Sequence, residues 1–204
     1  MRQITYGFVG EDVAQRIFLD NYLQQLPAYL NKTEVIVFTP NQGFHYEYKL
    51  HDNNKDSVDN LFVEAGRIGF LQYRLDLYFV GRDCDHYNPA DQAVLRREME
   101  SKVDTRWQDK TIIFVPVQCI EHWLWYLKWN CDNPGITKNE LLENKSNFLA
   151  KEAVYGRRKT TTKRSEPIVK DLTEHIPIDW LCSRSESFRA FHQKTVASVT
   201  QLLA

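Results

Sequence analysis

Short hydrophobic runs alternate with amphipathic segments through the first two thirds of the chain. The runs predict β-strands at residues 3–9, 34–39, 75–82 and 111–116. Between them, apolar positions at helical spacing predict helices that begin near residues 11, 56, 88 and 121. This regular alternation predicts an α/β fold with a mostly parallel central sheet and helices on both faces.

The pattern changes beyond residue 132. No further strand is predicted, and helical segments follow at residues 139–155, 165–175 and 185–203. We therefore predict an α/β core at residues 1–132 and a helical C-terminal extension at 133–204 that packs on the same core. The extension contains a predicted basic loop at 157–164. In the core, the polar segment 41–55 predicts turns.

Acidic residues stand directly after three of the predicted strands. Glu11 follows the first strand, Asp83 and Asp85 follow the third, and Glu121 comes after the fourth. The carboxyl ends of parallel strands lie at one edge of the sheet, so we expect these acids to lie close together. Alternate side chains of extended backbone share a side, which predicts that Asp83 and Asp85 point the same way.

Carboxylates brought together in this way predict a site for a divalent cation. Two unit charges about 4 Å apart repel by about 4 kcal/mol at an effective dielectric of about 20, and a bound cation offsets that repulsion. Hard oxygen ligands favour Mg²⁺ or Mn²⁺, which commonly bind substrate phosphates as well. The sequence thus predicts Glu11, Asp83 and Asp85 as ligands and a phosphodiester or nucleotide as substrate. Alternatively, the Asp-x-Asp segment only caps the turn that follows it.

Proton transfer at such a site needs further groups. Glu11 either completes the ligand shell or acts as a general base, with a pKa raised by its acidic neighbours. His86 directly follows the Asp pair and is a candidate to protonate a leaving oxygen. Glu121 is either an accessory acid of the site or a charge that stabilises the start of its own helix. His122, next to it, is interpreted as a structural histidine.

A run of basic and hydroxyl residues lies in the C-terminal extension. It contains Arg157, Arg158, Lys159, Lys163 and Arg164, interleaved with threonines. Such a run can bind a phosphate backbone, because Arg and Lys neutralise charge and hydroxyls bond to phosphate oxygens. It can also be an ordinary solvated loop. Since an acidic site repels a polyanion, a basic segment nearby favours the binding interpretation.

Overall composition limits the classes of function. The chain has 204 residues with 26 Lys and Arg against 27 Asp and Glu, so it is not a polycation that coats nucleic acid. Its cysteines are scattered without C-x-x-C spacing, which argues against a zinc knuckle or a disulfide framework. The lack of a signal-like start or a long apolar stretch predicts a cytoplasmic protein with no membrane partner. The sequence does not predict the oligomeric state.

Several motifs resemble those of one protein family. Glu11 between a strand and a helix, with Asp83-Cys84-Asp85 after a later strand, resembles the Toprim fold of topoisomerases, primases and OLD-type nucleases. Residues 116–124 and 185–188 resemble recurrent segments, P-V-x-x-I-E-x-W-L and S-x-S-F, of small stand-alone Toprim-like proteins from bacteria. The similarity spans nearly the whole chain, although residues 41–70 match only in outline.

The resemblance implies roles for the acids and a function for the protein. Glu11 would be the catalytic acid or base, Asp83 and Asp85 the metal ligands, and Glu121 an accessory acid. The implied function is a Mg²⁺-dependent nuclease that acts on DNA or RNA. The resemblance further implies an effector of bacterial anti-phage defence that works with an ATPase subunit of the ABC or AAA type.

The first motif departs from the pattern of that family. Nucleases of this kind usually carry Glu-Gly-x-Thr-Glu, whereas Asp12 stands here for the glycine and Gln15 for the second acid. Asp12 is then either an extra ligand or a charge favoured at a helix N-terminus. The departure leaves open a non-catalytic regulatory subunit that has kept the fold. A nucleotidyl or phosphoryl transferase would need a Gly-rich phosphate cradle, and the sequence shows none.

Overall fold

A parallel β-sheet forms the centre of the protein. The structure is a computed structural model and describes residues 1–48, 55–86, 88–138 and 140–204. The strands are β1 (Arg2–Gly10), β2 (Ile36–Pro40), β3 (Leu77–Gly81) and β4 (Thr111–Phe114). They lie in the order β2-β1-β3-β4, and each neighbouring pair is parallel. The predicted α/β fold with a parallel central sheet is confirmed.

Helices connect the strands and form the C-terminal part. The first helix, α1 (Val13–Tyr29), begins after Asp12, whose carboxylate accepts a hydrogen bond from the N–H of Gln15. The further helices are α2 (Gln42–Glu47), α3 (Lys55–Leu71), α4 (Pro89–Lys102), α5 (Glu121–Asp132), α6 (Asn147–Tyr155), α7 (Thr162–Thr173), α8 (Ile178–Arg184) and α9 (Glu186–Leu203). Within the described ranges, none of these helices has both the length and the apolar character that a membrane span requires.

Several segments differ from the sequence-based expectations. α2 lies within the predicted turn segment 41–55, because Asn41 caps it and the buried Phe44 anchors it. Residues 49–54, the rest of that prediction, lie outside the described residues. The predicted helix at 139–155 forms as a single 3-10 turn, Leu142–Asn144, followed by α6. α7 begins at Thr162, so the predicted basic loop is shorter than 157–164.

Alternate side chains of the strands enter two apolar clusters on the two faces of the sheet. On β3, Leu77 and Phe79 belong to the cluster that contains residues of α1, α5 and α9. Tyr78 and Val80 belong to the other cluster, which contains residues of α3 and α4. All of β3 is buried, which is why its sequence is continuously apolar.

The C-terminal helices pack on the same core as the sheet. Trp123 of α5 is fully buried, with its ring centroid 5.3 Å from that of Phe188 and 5.7 Å from that of Phe191, both on α9. Its indole N–H donates a hydrogen bond of 2.8 Å to the hydroxyl of Ser187. One apolar cluster therefore joins the sheet to residues beyond 132, while the domain boundary at residue 132 stays a prediction.

A histidine continues the hydrogen bonding of β1 beyond the end of β2. The last register pair of these strands is Tyr6 with Pro40, so the N–H of Phe8 lies past the end of β2. This N–H donates to Nε2 of His45 at 3.0 Å. Burial, with a smaller effect of the Arg16 charge, lowers the pKa of His45 to about 4. A doubly protonated ring has no acceptor atom for this bond.

His45 should therefore make the protein sensitive to acid. A histidine titrates near pH 6.5 in the unfolded chain, so the unfolded state gains the proton first and stability falls as the pH drops from about 6.5 towards 4. Between about pH 7.5 and 4.5, the wild type should lose about 2 kcal/mol more free energy of unfolding than His45→Gln, which cannot titrate. Urea denaturation at both pH values measures the two losses, and equal losses would contradict this role of His45.

Candidate active site

The acids that follow the strands meet at the carboxyl edge of the sheet. Gly10, the last residue of β1, is paired in register with Gly81, the last residue of β3. The residues that follow these glycines are therefore neighbours. Oε1 of Glu11 accepts a hydrogen bond of 2.9 Å from the backbone N–H of Asp83. Glu121 is the first residue of α5, which follows β4, and it lies at the same edge of the sheet.

Asp83 and Asp85 point in different directions, so the prediction of a shared side is wrong. β3 ends at Gly81, and Asp85 has a φ of 62°, so the backbone between the two acids is not extended. Asp83 is buried, and its Oδ1 accepts from the side-chain amide of Gln15 at 2.8 Å and from the N–H of Ile120 at 3.2 Å. The side chain of Asp85 is 45% exposed. The Asp-x-Asp spacing therefore does not form one pair of ligands here.

Arg82 occupies the space between Glu11 and Asp85. Its Nη1 lies 2.9 Å from Oε1 of Glu11 and 3.7 Å from Oδ2 of Asp85, and its Nε lies 3.1 Å from Oδ1 of Asp59. Lys55 is a further cation, 3.5 Å from Oδ2 of Asp85. Two of the three predicted metal ligands are thus paired with cations of the chain itself. The sequence analysis missed Arg82, although its position directly before Asp83 was a signal.

Gln15 holds two of the acidic segments together. It is fully buried on α1; its Oε1 accepts from the N–H of Glu11 at 2.9 Å, and its amide donates to Asp83. The two strand-end glycines leave room for this side chain. A Cβ on Gly81 would lie 2.5 Å from Oε1 of Gln15, and one on Gly10 would lie 2.7 Å from it. The glutamine that replaces the second acid of the resembled motif therefore positions the remaining acids.

Four carboxyl groups, Glu11, Asp12, Asp83 and Glu121, lie near enough to influence one another, and we call them the carboxyl cluster. Burial, followed by the charge of Glu121, raises the pKa of Asp12 to about 7. Burial and the charges of the other three acids raise the pKa of Asp83 well above its ordinary value. Burial also raises the pKa of Glu11, even though Arg82 opposes this shift. Carboxyl groups that repel one another and have raised pKa values are typical of sites that bind a cation or move a proton.

Lys151 of α6 is a second cation beside this cluster, in addition to Arg82. Burial alone would lower its pKa, but the charges of Glu121, Cys119 and Asp83 outweigh burial, and its pKa is raised. The lysine therefore stays protonated among acids that repel one another. The sequence analysis did not place Lys151 near the acids, because its position depends on how α6 packs on α5.

Glu121 has an oxygen that lacks a hydrogen-bond partner. The residue is only 4% exposed, and its Oε2 has no partner among the described residues. Burial and the charge of Glu121 raise the pKa of Tyr155 of α6. A buried carboxylate oxygen without a partner is strongly unfavourable unless a ligand satisfies it. The unpartnered oxygen makes Glu121 a candidate ligand-binding group of this edge.

A polar pocket opens beside the carboxyl cluster. Its volume is about 360 Å³, and its lining includes Asp12 and Glu121. Lys151, Arg158 and Lys159 line the same pocket and bring positive charge to it. The hydroxyl residues Thr160, Thr162 and Ser165 complete its polar wall. The structure thus brings part of the predicted basic segment next to the predicted acids.

The other basic residues lie outside this pocket. Arg157, Lys163 and Arg164 are exposed and do not line it. Lys163 and Arg164 belong to the first turn of α7. Arg158 is itself partly engaged, since its Nε lies 3.5 Å from Oε2 of Glu152. Binding of a phosphate by this segment would therefore depend mainly on Lys159, Arg158 and Lys151.

The two histidines of the sequence analysis differ in their surroundings. His122 is fully buried; its Nε2 lies 3.0 Å from the carbonyl oxygen of Lys145, and its Nδ1 lies 3.3 Å from that of Cys119. Burial lowers the pKa of His122, as expected for a structural histidine. His86 is exposed, and its side chain makes no hydrogen bond or ion pair within the described part of the chain. Its proposed role in protonating a leaving oxygen stays a prediction.

The carboxyl cluster fits a hard divalent cation that is held by few protein ligands. Its donors are carboxylate oxygens, which Mg²⁺ and Mn²⁺ prefer, and Oε2 of Glu121 lacks a partner. Across the described ranges, no group of three or more His, Cys, Asp or Glu side chains is arranged to hold a metal ion. Mg²⁺ in proteins usually retains several waters and uses one or two carboxylates plus substrate phosphates.

Comparisons with known proteins add no relative. No family model, curated protein or solved structure matches this chain.

Proposed function

We propose that this protein is a metal-dependent nuclease that hydrolyses phosphodiester bonds of DNA or RNA. The observation that carries the proposal is the carboxyl cluster, with its unpartnered oxygen on Glu121, beside a pocket that Lys151, Arg158 and Lys159 also line. Acids that bind a dication and cations that bind phosphate oxygens are the two elements that metal-assisted phosphodiester hydrolysis requires.

Each residue of the site would have a distinct task. Asp83 and Glu121, which are buried, would hold Mg²⁺ or Mn²⁺, and the ion would supply charge stabilisation and a water of lowered pKa. Lys151 would neutralise part of the cluster and attract the scissile phosphate. Glu11 has a raised pKa and lies beside Arg82, so it would accept a proton from the attacking water.

The resemblance to small Toprim-like proteins supports the same reaction. It rests on Glu11, on Asp83 and Asp85, and on the segments 116–124 and 185–188, and it implies Glu121 as an accessory acid. A role in anti-phage defence, a cytoplasmic location and an ABC- or AAA-type ATPase partner follow from sequence reasoning alone. For Asp85, we propose a supporting role: it holds Arg82 and Lys55 at the edge of the site.

A cleavage assay tests the proposal. Plasmid DNA, single-stranded DNA and tRNA are incubated with the wild type, Glu11→Gln and Asp83→Asn, with Mg²⁺ or Mn²⁺ and with EDTA. We expect the wild type to cleave at least one substrate with metal, and we expect EDTA or either substitution to reduce the rate about a hundredfold or more. Cleavage that persists with EDTA and in both variants would contradict the proposal.

The basic wall of the pocket gives a separate prediction about binding. Lys159→Gln should weaken the binding of a single-stranded oligonucleotide and make the salt dependence shallower by about 0.7 in log–log slope, since one phosphate contact is lost. Filter binding in EDTA at several salt concentrations, where the strand stays intact, measures both quantities. Lys170→Gln is the control, because Lys170 is an exposed cation of α7 that does not line the pocket. Equal effects of the two substitutions would show that only net charge matters.

A non-catalytic regulatory subunit is the second candidate function. It is favoured by the Arg82 guanidinium, which already neutralises Glu11 and Asp85. Such a subunit could bind nucleic acid through Arg158 and Lys159 but would need no metal ion. Metal binding therefore separates the two candidates: the nuclease must bind Mg²⁺ or Mn²⁺ through Asp83, and the regulatory subunit need not.

A further inference from the structure

A second polar cavity lies outside the carboxyl cluster and contains a group of arginines. Its volume is about 550 Å³, and it lies between α4, α8, α9 and the segment that follows β4. Arg96 of α4, Arg184 of α8 and Arg189 of α9 all line it. Three guanidinium groups from three separate helices thus share one cavity. The proposed nuclease chemistry uses none of them.

Two of these arginines carry buried N–H groups without a hydrogen-bond partner. Within the described part of the chain, Nε of Arg96 and Nε of Arg184 lack any acceptor. Both side chains are held at their other ends: Nη1 of Arg96 lies 3.8 Å from Oε1 of Glu100, and Nη2 of Arg184 donates to the carbonyl of Thr137 at 2.9 Å. Because both side chains line the cavity and are only partly paired, an anion in the cavity would be attracted by their positive charge.

Two helix starts add to the positive potential of the cavity. Pro89 and Ala90 begin α4, which has 14 residues, and Glu186 and Ser187 begin α9, which has 18 residues. The N-terminus of each long helix carries a partial positive charge that favours bound anions. The partial positive charge of the two helix starts adds to the positive charge of the arginines.

The arginines outnumber the acids that line the cavity. Glu143 and Glu186 face three arginines. Oε1 of Glu143 accepts from the hydroxyls of Ser185 at 2.8 Å and Ser187 at 2.7 Å, so this carboxylate is already satisfied by neutral donors. Glu186 is exposed at the first position of α9. The guanidinium of Arg189 forms no ion pair or hydrogen bond with another described residue, so it is available for a ligand.

We propose that this cavity binds a small organic phosphate of about nucleotide size. Arginine binds phosphate oxygens with two parallel hydrogen bonds, and Arg96, Arg184 and Arg189 bring three such groups to the wall of the cavity. A volume of about 550 Å³ lies within the range of small-molecule sites and exceeds the space that a free phosphate ion fills. The site needs no metal ion, which distinguishes it from the carboxyl cluster.

Isothermal titration in EDTA tests this proposal with ADP, inorganic pyrophosphate and adenosine as probes. We expect ADP and pyrophosphate to bind the wild type and adenosine not to bind. Arg96→Gln and Arg189→Gln should each weaken ADP binding at least about tenfold, since each removes a charge-assisted contact. The control Arg97→Gln should bind like the wild type, because Arg97 is the exposed neighbour on α4 and does not line the cavity.

Several results would overturn the phosphate site. It fails if neither ADP nor pyrophosphate binds at millimolar concentration, or if adenosine binds as tightly as ADP. It also fails if Arg96→Gln and Arg189→Gln retain the affinity of Arg97→Gln. Because the assay contains no metal and measures no cleavage, its outcome is independent of the proposed nuclease activity.

Discussion

Glu121→Gln should lose metal-dependent cleavage by about a hundredfold or more and should not lose stability. The glutamine keeps the shape of the side chain but removes one negative charge from the carboxyl cluster. The loss of a metal ligand lowers activity, while the fold is relieved of the repulsion that contributes to the raised pKa of Asp12 and of Asp83. We therefore expect the free energy of unfolding to stay the same or to rise by about 1 kcal/mol.

Glu143→Gln is the matched control for this prediction. Glu143 is also a buried glutamate after β4, but its Oε1 accepts hydrogen bonds from Ser185 and Ser187. Its replacement should lower stability by about 1–3 kcal/mol and leave metal-dependent cleavage within a few-fold of the wild type. Cleavage rates and urea denaturation of both variants measure the four quantities. If Glu121→Gln lowers stability and leaves cleavage intact, Glu121 is a structural residue and its assignment as a metal ligand is wrong.

Trp123→Ala should destabilise the protein by about 3–5 kcal/mol, the largest loss of stability that we predict. The indole is fully buried between the sheet and α9, and its N–H donates to Ser187. The substitution therefore leaves a large cavity in the apolar cluster that joins the C-terminal helices to the sheet, and it removes one hydrogen bond of Ser187, whose hydroxyl still donates to Glu143. Urea denaturation followed by circular dichroism measures the loss.

Trp129→Ala provides the comparison on the same helix. Trp129 is only partly buried and stacks on Trp180 with ring centroids 6.2 Å apart. Trp129→Ala should lower the free energy of unfolding by less than half as much as Trp123→Ala, since the substitution removes less buried apolar surface. If both substitutions cost the same, Trp123 would not be the centre of this cluster. If Trp123→Ala unfolds only residues beyond 132, the predicted domain boundary there would gain support.

The fold was accessible from the sequence because two of its strands, β3 and β4, are almost continuously apolar. Residues 75–82 and 111–116 contain β3 and β4, and each strand is buried on both faces. The closeness of Glu11 and Asp83 was also predictable from the sequence, since each follows a parallel strand and such strands end at one edge of the sheet. The short helices α2 and α8 did not follow, because six or seven residues are too few for a helical period to stand out.

The details of the site depended on contacts that no local pattern specifies. The direction of Asp85 follows from its left-handed backbone, which a non-glycine residue rarely adopts. The role of Gln15 depends on the register of β1 and β3, which places two glycines beside its amide group. Likewise, the approach of Lys151 and Tyr155 to Glu121 depends on how α6 packs on α5. Sequence spacing therefore identified the acids but not the residues that orient and neutralise them.

Binding of Mn²⁺ tests the carboxyl cluster most directly. Electron paramagnetic resonance of Mn²⁺ measures the free ion during titration of the wild type, of Asp83→Asn and of the control Asp20→Asn, whose carboxylate accepts from Tyr6 instead. We expect one Mn²⁺ to bind the wild type and the control alike, with affinity at least about tenfold weaker in Asp83→Asn. No binding to the wild type, or equal binding to Asp83→Asn, would contradict the account.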